Sequence, residues 1–245
     1  MTKVVLAVVD SRGFLGSADI AMAVEGLDSL GYDVKPIEKQ DIFVKDIDYS
    51  KYVLFLGGVN ECRTVLRKMN APFTKHIDTY PKSLRKFLGR DVKTVALREA
   101  LSKLGDEMKP FFIKPIIPKQ FPALVIRKAE NISYGFLHID ENVRVYTSDV
   151  VDFKTEWRAY VWKKKVVGMY YYRGNWRTRP DIERVTEMVK TFKDAPVCYA
   201  LDVGVVGKET VLVEANDCYA IGNYGLDFET YAKMLLDRWK ELTTT

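Results

Sequence analysis

The sequence predicts a mixed α/β fold, with a parallel sheet at the N-terminus and antiparallel sheets behind it. Two patterns and the chain length carry this. Residues 3–9 (KVVLAVV), an amphipathic stretch after them, and apolar runs at 33–37 and 52–56 alternate strand with helix, as a parallel sheet does. From residue 111 onward, short runs of alternating apolar and polar residues follow one another across tight turns, as antiparallel hairpins do. The 245 residues, 47% hydrophobic and 29% charged, suffice to bury a substantial core as one large domain or two small ones.

The first run, within MTKVVLAVVDSRG, has no small-residue cleavage pattern and reads as a strand, not a signal peptide. Ser17 or Asp19 caps a helix to about residue 30, with Ile20, Val24 and Leu27 on its apolar face and Gly31 as its stop. Gly13 and Gly16 lie where a dinucleotide loop would be, but their spacing is not G-x-G-x-x-G. They are either turn glycines or part of a substrate-facing edge, since ligands gather at the carboxyl ends of parallel strands. Gly57-Gly58 invites the same two readings. Residues 61–110 read as a mostly helical, basic connector broken at Pro72 and Pro81.

The strand at 111–114 ends in Lys114-Pro115. A buried ammonium needs a partner, here either a nucleotide phosphate or a neighbouring carboxylate. Lys119 lies in the turn to the next strand (ALVIRK), where it either closes over the same ligand or is an ordinary exposed lysine. Another strand spans 143–152. Residues 156–173 read as strand, lysine turn and strand, with Glu156, Arg158 and Tyr160 on one face. Arg158 can hold phosphate bidentately or pair with Glu156 or Asp152. A helix at 181–193 follows. Asp227 caps a last amphipathic helix carrying Phe228, Tyr231, Leu235, Trp239 and Leu242.

The densest chemistry lies in residues 198–225, CYALDVGVVGKETVLVEANDCYAIGNYG. A three-residue loop, Gly207-Lys208-Glu209, places Asp202 opposite Glu214, and Asn216 projects on the same face. Two carboxylates and an amide suit a hard cation such as magnesium with a nucleotide. The same alternation also describes a plain sheet with one wet face.

Composition narrows the partners. No apolar run approaches the roughly 20 residues that span a bilayer, so no membrane partner is expected. Cys62, Cys198 and Cys218 are scattered without metal-type spacing, which points to reduced thiols in a cytoplasmic protein. Cys198 and Cys218 either meet through the hairpin or are separate buried thiols. The net charge of +5 includes basic clusters at 82–93, 163–165 and 173–179. No RNA- or DNA-binding motif accompanies them, so nucleic acid is not an expected partner. His76 and His138 have no Ser- or Cys-centred nucleophile motif near them.

The order of parts is distinctive: FFIKP, the turn with Lys119, VYTSDVVD, EWRAYV, ALDVGVV, then LVEAND. Together, over roughly residues 80–225, they resemble the ATP-grasp enzymes, in particular small compact branches found in bacteria and their viruses. The resemblance implies a Rossmann-like N-terminal α/β domain at 1–72 and an ATP-grasp domain at 73–245. The latter would comprise subdomains 73–150 and 151–245, with antiparallel sheets clasping the nucleotide. It implies that Lys114 contacts the α- or β-phosphate and that Lys119, with the turn 120–123, covers the phosphates. Ser148, Asp149, Val150 and Val151 would form the adenine hinge, and Asp152 or Glu156 would approach the ribose. Arg158 would stabilise the γ-phosphoryl group, while Asp202, Glu214 and Asn216 would hold magnesium. The turn KQFPAL departs from the pattern in lacking glycines, and the region between hinge and hairpin is short. The implied activity is ATP-dependent joining of a carboxylate, activated as an acyl phosphate, to an amine on an amino acid, peptide or small molecule. An ATP-grasp kinase and an inactive nucleotide-binding module are the alternatives. Substrates would sit near the DSRGFLG loop, Arg173 and the DCYAIGNYG loop, in a monomer or homodimer.

Overall fold

A computed structural model describes residues 3–72, 76–102, 104, 109–117, 120–128 and 139–244. In chain order the elements begin with β1 (Val4–Val9), α1 (Ala18–Ser29), β2 (Asp33–Glu38), α2 (Asp41–Val44), β3 (Leu54–Leu56) and α3 (Val59–Lys68). Then come β4 (Val92–Ala96), α4 (Leu97–Leu101), β5 (Phe111–Pro115), β6 (Leu124–Ile126) and β7 (Arg144–Asp149). The chain closes with β8 (Thr155–Trp162), β9 (Lys165–Gly174), α5 (Ile182–Thr191), β10 (Cys198–Val206), β11 (Glu209–Asp217) and α6 (Phe228–Thr243). It forms two compact units, one of Met1–Arg85 with Lys154–Thr245 and the other of Lys86–Phe153.

The first unit contains two sheets. One is parallel, in the order β2-β1-β3, and the other antiparallel, in the order β11-β10-β8-β9. Local signals fix the helix starts: Ser17 Oγ accepts from Ile20 N at 3.2 Å, Asp181 from Glu183 N at 2.9 Å and Asp227 from Thr230 N at 2.9 Å. One apolar core joins β1 and β3 to β10 and α6 through Val5, Leu54, Phe55, Ala200, Leu235 and Trp239. Residues 1–72 therefore do not bury a core separate from that of 154–245. Arg238, 1% exposed, is the charged exception; two 2.7 Å bonds to Asp217 and one to Glu241 offset its desolvation.

The second unit is built on an antiparallel sheet in the order β4-β7-β5-β6. Its core includes Val95, Leu97, Ile113, Phe121, Ile126 and Val145. Strand β4 corrects the expectation of a helical connector over 61–110. Val92 and Val95 are buried because β7 pairs alongside them, and nothing within so short a run announces that partner. Strand β7 stops at Asp149, short of the expected 152, and Val150 is 36% exposed.

Candidate functional site

Strands β8, β10 and β11 set the candidate site of the first unit. Arg158 pairs in register with Asp202, and Asp202 with Glu214, so the three form one row across adjacent strands. Asn216 lies two residues along β11, opposite Ala200, on the same face. The expected pairing of Asp202 with Glu214 is present, but the expected three-residue turn is not. Val206 pairs with Glu209, so the loop is Gly207-Lys208, with Gly207 at φ 62° as a two-residue hairpin favours at its first position. That turn alone would place Asp202 one residue out of step. A bulge between Asp202 and Val203, with Val213 the extra residue on β11, restores the register.

Arg158 and Asp202 are 8% and 3% exposed. Nε donates to Asp202 Oδ1 and Nη2 to Oδ2, both at 2.8 Å, a fork-on-carboxylate pair. Residue order alone leaves Arg158 to phosphate or to Glu156 or Asp152; the ion-pair partner is instead Asp202, because β10 lies directly alongside. Burial works against the guanidinium charge, but the bonds to Asp202 outweigh it and hold Arg158 above its ordinary pKa. Asn216 Nδ2 donates to Asp202 Oδ2 at 3.1 Å.

Tyrosines that sequence reasoning does not single out as site residues surround this pair. The Tyr224 ring lies 4.5 Å from the Arg158 guanidinium carbon and 5.1 Å from the Tyr172 ring. Tyr160 OH donates to Gly222 O at 2.6 Å and accepts from Tyr224 N at 2.9 Å, tying the 222–224 loop to β8. Tyr172, the extra residue of a second bulge, donates to Glu156 Oε2 at 2.9 Å. Burial first, then the charges of Asp202 and Glu156, push its phenol up, so it remains a donor. Arg173 Nη1 donates to Glu156 Oε1 at 3.0 Å. Tyr160 shares the alternation of Arg158, which is its available signal; the placement of Tyr224 has none.

The donor set of Asp202, Glu214 and Asn216 suits magnesium, which takes hard oxygens. A carboxylate has about four lone-pair sites; Arg158 and Asn216 occupy three on Asp202. A cation would therefore draw on Glu214 and the Asn216 carbonyl oxygen more than on Asp202. Among the described residues no group of three or more His, Cys, Asp or Glu side chains is set to hold a metal. Cys198 and Cys218 are free and fully buried, and Cys198 Sγ donates to Met234 O at 2.9 Å.

In the second unit, Lys114 is half-buried on β5 opposite Tyr146, while Ser148 and Asp149 end β7 opposite Phe112 and Phe111. A cavity of about 240 Å³ adjoins them, lined by Lys93, Lys109, Phe111, Thr147, Ser148 and Asp149. Val151 is half-buried and Asp152 exposed. Lys119 lies outside the described residues.

Residues 87–234 match a family described as an ATP-grasp domain, the second family of its clade. The chain belongs to that ATP-grasp family. Solved ATP-grasp structures share its fold. The RimK domain ATP-grasp protein of Sphaerobacter thermophilus superposes with TM-score 0.58 at 14% identity, covering 95% of this chain and 99% of that one. D-cycloserine synthetase DcsG gives TM-score 0.58 at 12% identity over 97% and 100%. The D-alanine–D-alanine ligase of Bacillus anthracis complexed with ATP gives 0.57 at 13% over 99% and 97%. Comparison with curated proteins gives no match. The expected fold class, mixed α/β with antiparallel ATP-grasp sheets, is thus the observed one. Among the described residues no helix is long and apolar enough to cross a membrane.

Proposed function

We propose that this ATP-grasp protein is an ATP-dependent ligase that joins a carboxylate to an amine. The row Arg158–Asp202–Glu214, with Asn216 beside it, carries the reading. It fixes one forked cation and a set of hard oxygen donors on rigid strands, with no protein nucleophile among them. Ligases among the structural neighbours, including D-alanine–D-alanine ligase and N5-carboxyaminoimidazole synthetase, support it.

In this reading a substrate carboxylate oxygen attacks the γ-phosphorus of ATP and ADP leaves. The amine nitrogen then attacks the acyl carbon, phosphate departs and the amine sheds a proton. Phosphoryl transfer needs positioning and charge stabilisation more than covalent help. Arg158, its plane held by Asp202 and Tyr224, presents its remaining donors to the transferring phosphoryl oxygens. Glu214, Asn216 and Asp202 would hold magnesium, which when bound neutralises charge on the β- and γ-phosphate oxygens. In the second unit, Lys114 is proposed to contact the α- or β-phosphate, with Lys119 and the turn 120–123 covering the phosphates. Residues 148–151 are proposed to bind adenine, and Asp152 or Glu156 the ribose. The division at residue 72 and the action as monomer or homodimer belong to the same proposal. So does a cytoplasmic setting, supported by three free buried cysteines.

The test is ADP release over a panel of amino acids, peptides and small acids, with hydroxylamine present and mass spectrometry of the products. A ligase yields a hydroxamate; a stable phosphoester without hydroxamate would instead assign a kinase. ADP release with no acid dependence would overturn both.

A further inference from the structure

The candidate site does not end at Arg158. Tyr224 stacks on Arg158, Tyr172 packs on Tyr224, Tyr172 bonds Glu156 and Glu156 bonds Arg173. This line of contacts leads from the phosphoryl-binding residues into the segment 173–179, RGNWRTR, which joins β9 to α5. Arg173, Trp176, Arg177 and Arg179 line it, Trp176 at 59% exposure. Arg177 and Arg179 have no ion pair among the described residues, and Arg173, its side chain 75% exposed, commits one nitrogen to Glu156. The segment is nevertheless held in place. Trp157 Nε1 donates to Thr178 O at 3.2 Å, Tyr171 OH to Gly174 O at 2.6 Å, and the Arg177 guanidinium lies 5.4 Å from the Trp176 ring. Three arginines and an exposed tryptophan on a fixed loop form a preorganised surface for anionic groups.

We propose that the Arg173–Arg179 segment docks an acidic peptide, its Asp or Glu carboxylates pairing with Arg173, Arg177 and Arg179 as the chain leads toward Arg158. The proposal rests on the ligase reading only for that direction, since a peptide rich in carboxylates supplies both the docking charge and the group to be activated. A guanidinium fork also fits phosphate, but sequence-tolerant binding of single-stranded nucleic acid rests on several aromatic stacking faces. This segment offers one, and Arg177 already lies over it. The peptide is therefore the better match.

Fluorescence anisotropy without ATP tests the docking directly, using labelled oligoglutamate, oligolysine and thymidine oligonucleotide of equal length. Wild-type protein is expected to bind oligoglutamate in a salt-sensitive way and to ignore oligolysine. The Arg177→Gln/Arg179→Gln variant, altered on the surface of the loop, should keep its melting temperature and bind oligoglutamate about tenfold more weakly. Unchanged affinity in that variant, or tighter binding of the oligonucleotide than of oligoglutamate, overturns the proposal. Glu214→Ala separates the two readings, since it should retain oligoglutamate binding while losing ATP turnover. Peptide binding in a protein that forms no hydroxamate with any acid would leave the docking surface standing and remove the ligase.

Discussion

Arg158 and Asp202 face each other across β8 and β10 and lock through two 2.8 Å hydrogen bonds, both side chains nearly excluded from water. Removing either partner leaves a buried charge without its counter-ion. Asp202→Ala is therefore expected to destabilise the protein by about 3–5 kcal/mol, read from urea or thermal unfolding. Arg158→Lys keeps the charge but not the fork. It should unfold more easily than wild type and, under the ligase reading, lose ADP release by a factor of about 100 or more.

Glu214 sits beside this pair as the carboxylate on which a bound cation would mainly depend. Glu214→Ala should preserve the fold by circular dichroism and lower ATP turnover. The magnesium concentration for half-maximal rate should rise by about 10- to 100-fold. Turnover at the wild-type rate would remove the hairpin from the catalytic assignment.

Lys114 carries the corresponding expectation for the second unit. Lys114→Ala should weaken Mg–ATP binding, measured by calorimetry or anisotropy of a labelled nucleotide. Wild-type affinity in this variant would end the phosphate role of the lysine.

Gly225 adopts φ +125°, and a Cβ there would meet the Tyr170 ring at 2.8 Å. Gly225→Ala combines backbone strain with that clash, at a cost of about 1–3 kcal/mol in stability. Because the 222–224 backbone carries Tyr224 over Arg158, turnover is also expected to fall. Tyr224→Phe keeps the ring and serves as the comparison expected to stay active.

Burial pushes the Tyr160 phenol from its ordinary value of 10.0 to about 12. The folded value exceeds the unfolded one, so this contribution to stability is complete below pH 10 and is lost as pH rises toward 12. Tyr160→Phe should shrink the alkaline loss of stability in pH-resolved melts. It should also lower stability at neutral pH, because the bonds to Gly222 O and Tyr224 N go with the hydroxyl.

Short-range chemistry is legible in the sequence by itself. Ser17, Asp181 and Asp227 cap helices because their side chains bond amides within three residues. The alternation of β8, β10 and β11 likewise places Asp202, Glu214 and Asn216 on one strand pair. The turn differs from the one residue order suggests, since a bulge depends on how one strand lies against its neighbour and leaves no mark in that order. Strand β4 escapes a sequence reading for a related reason: five residues read as strand only once β7 lies beside them. The tertiary structure also chose Asp202 as the partner of Arg158 and set Tyr224 over the guanidinium. Both contacts join residues distant along the chain, and sheet register and loop packing decide them.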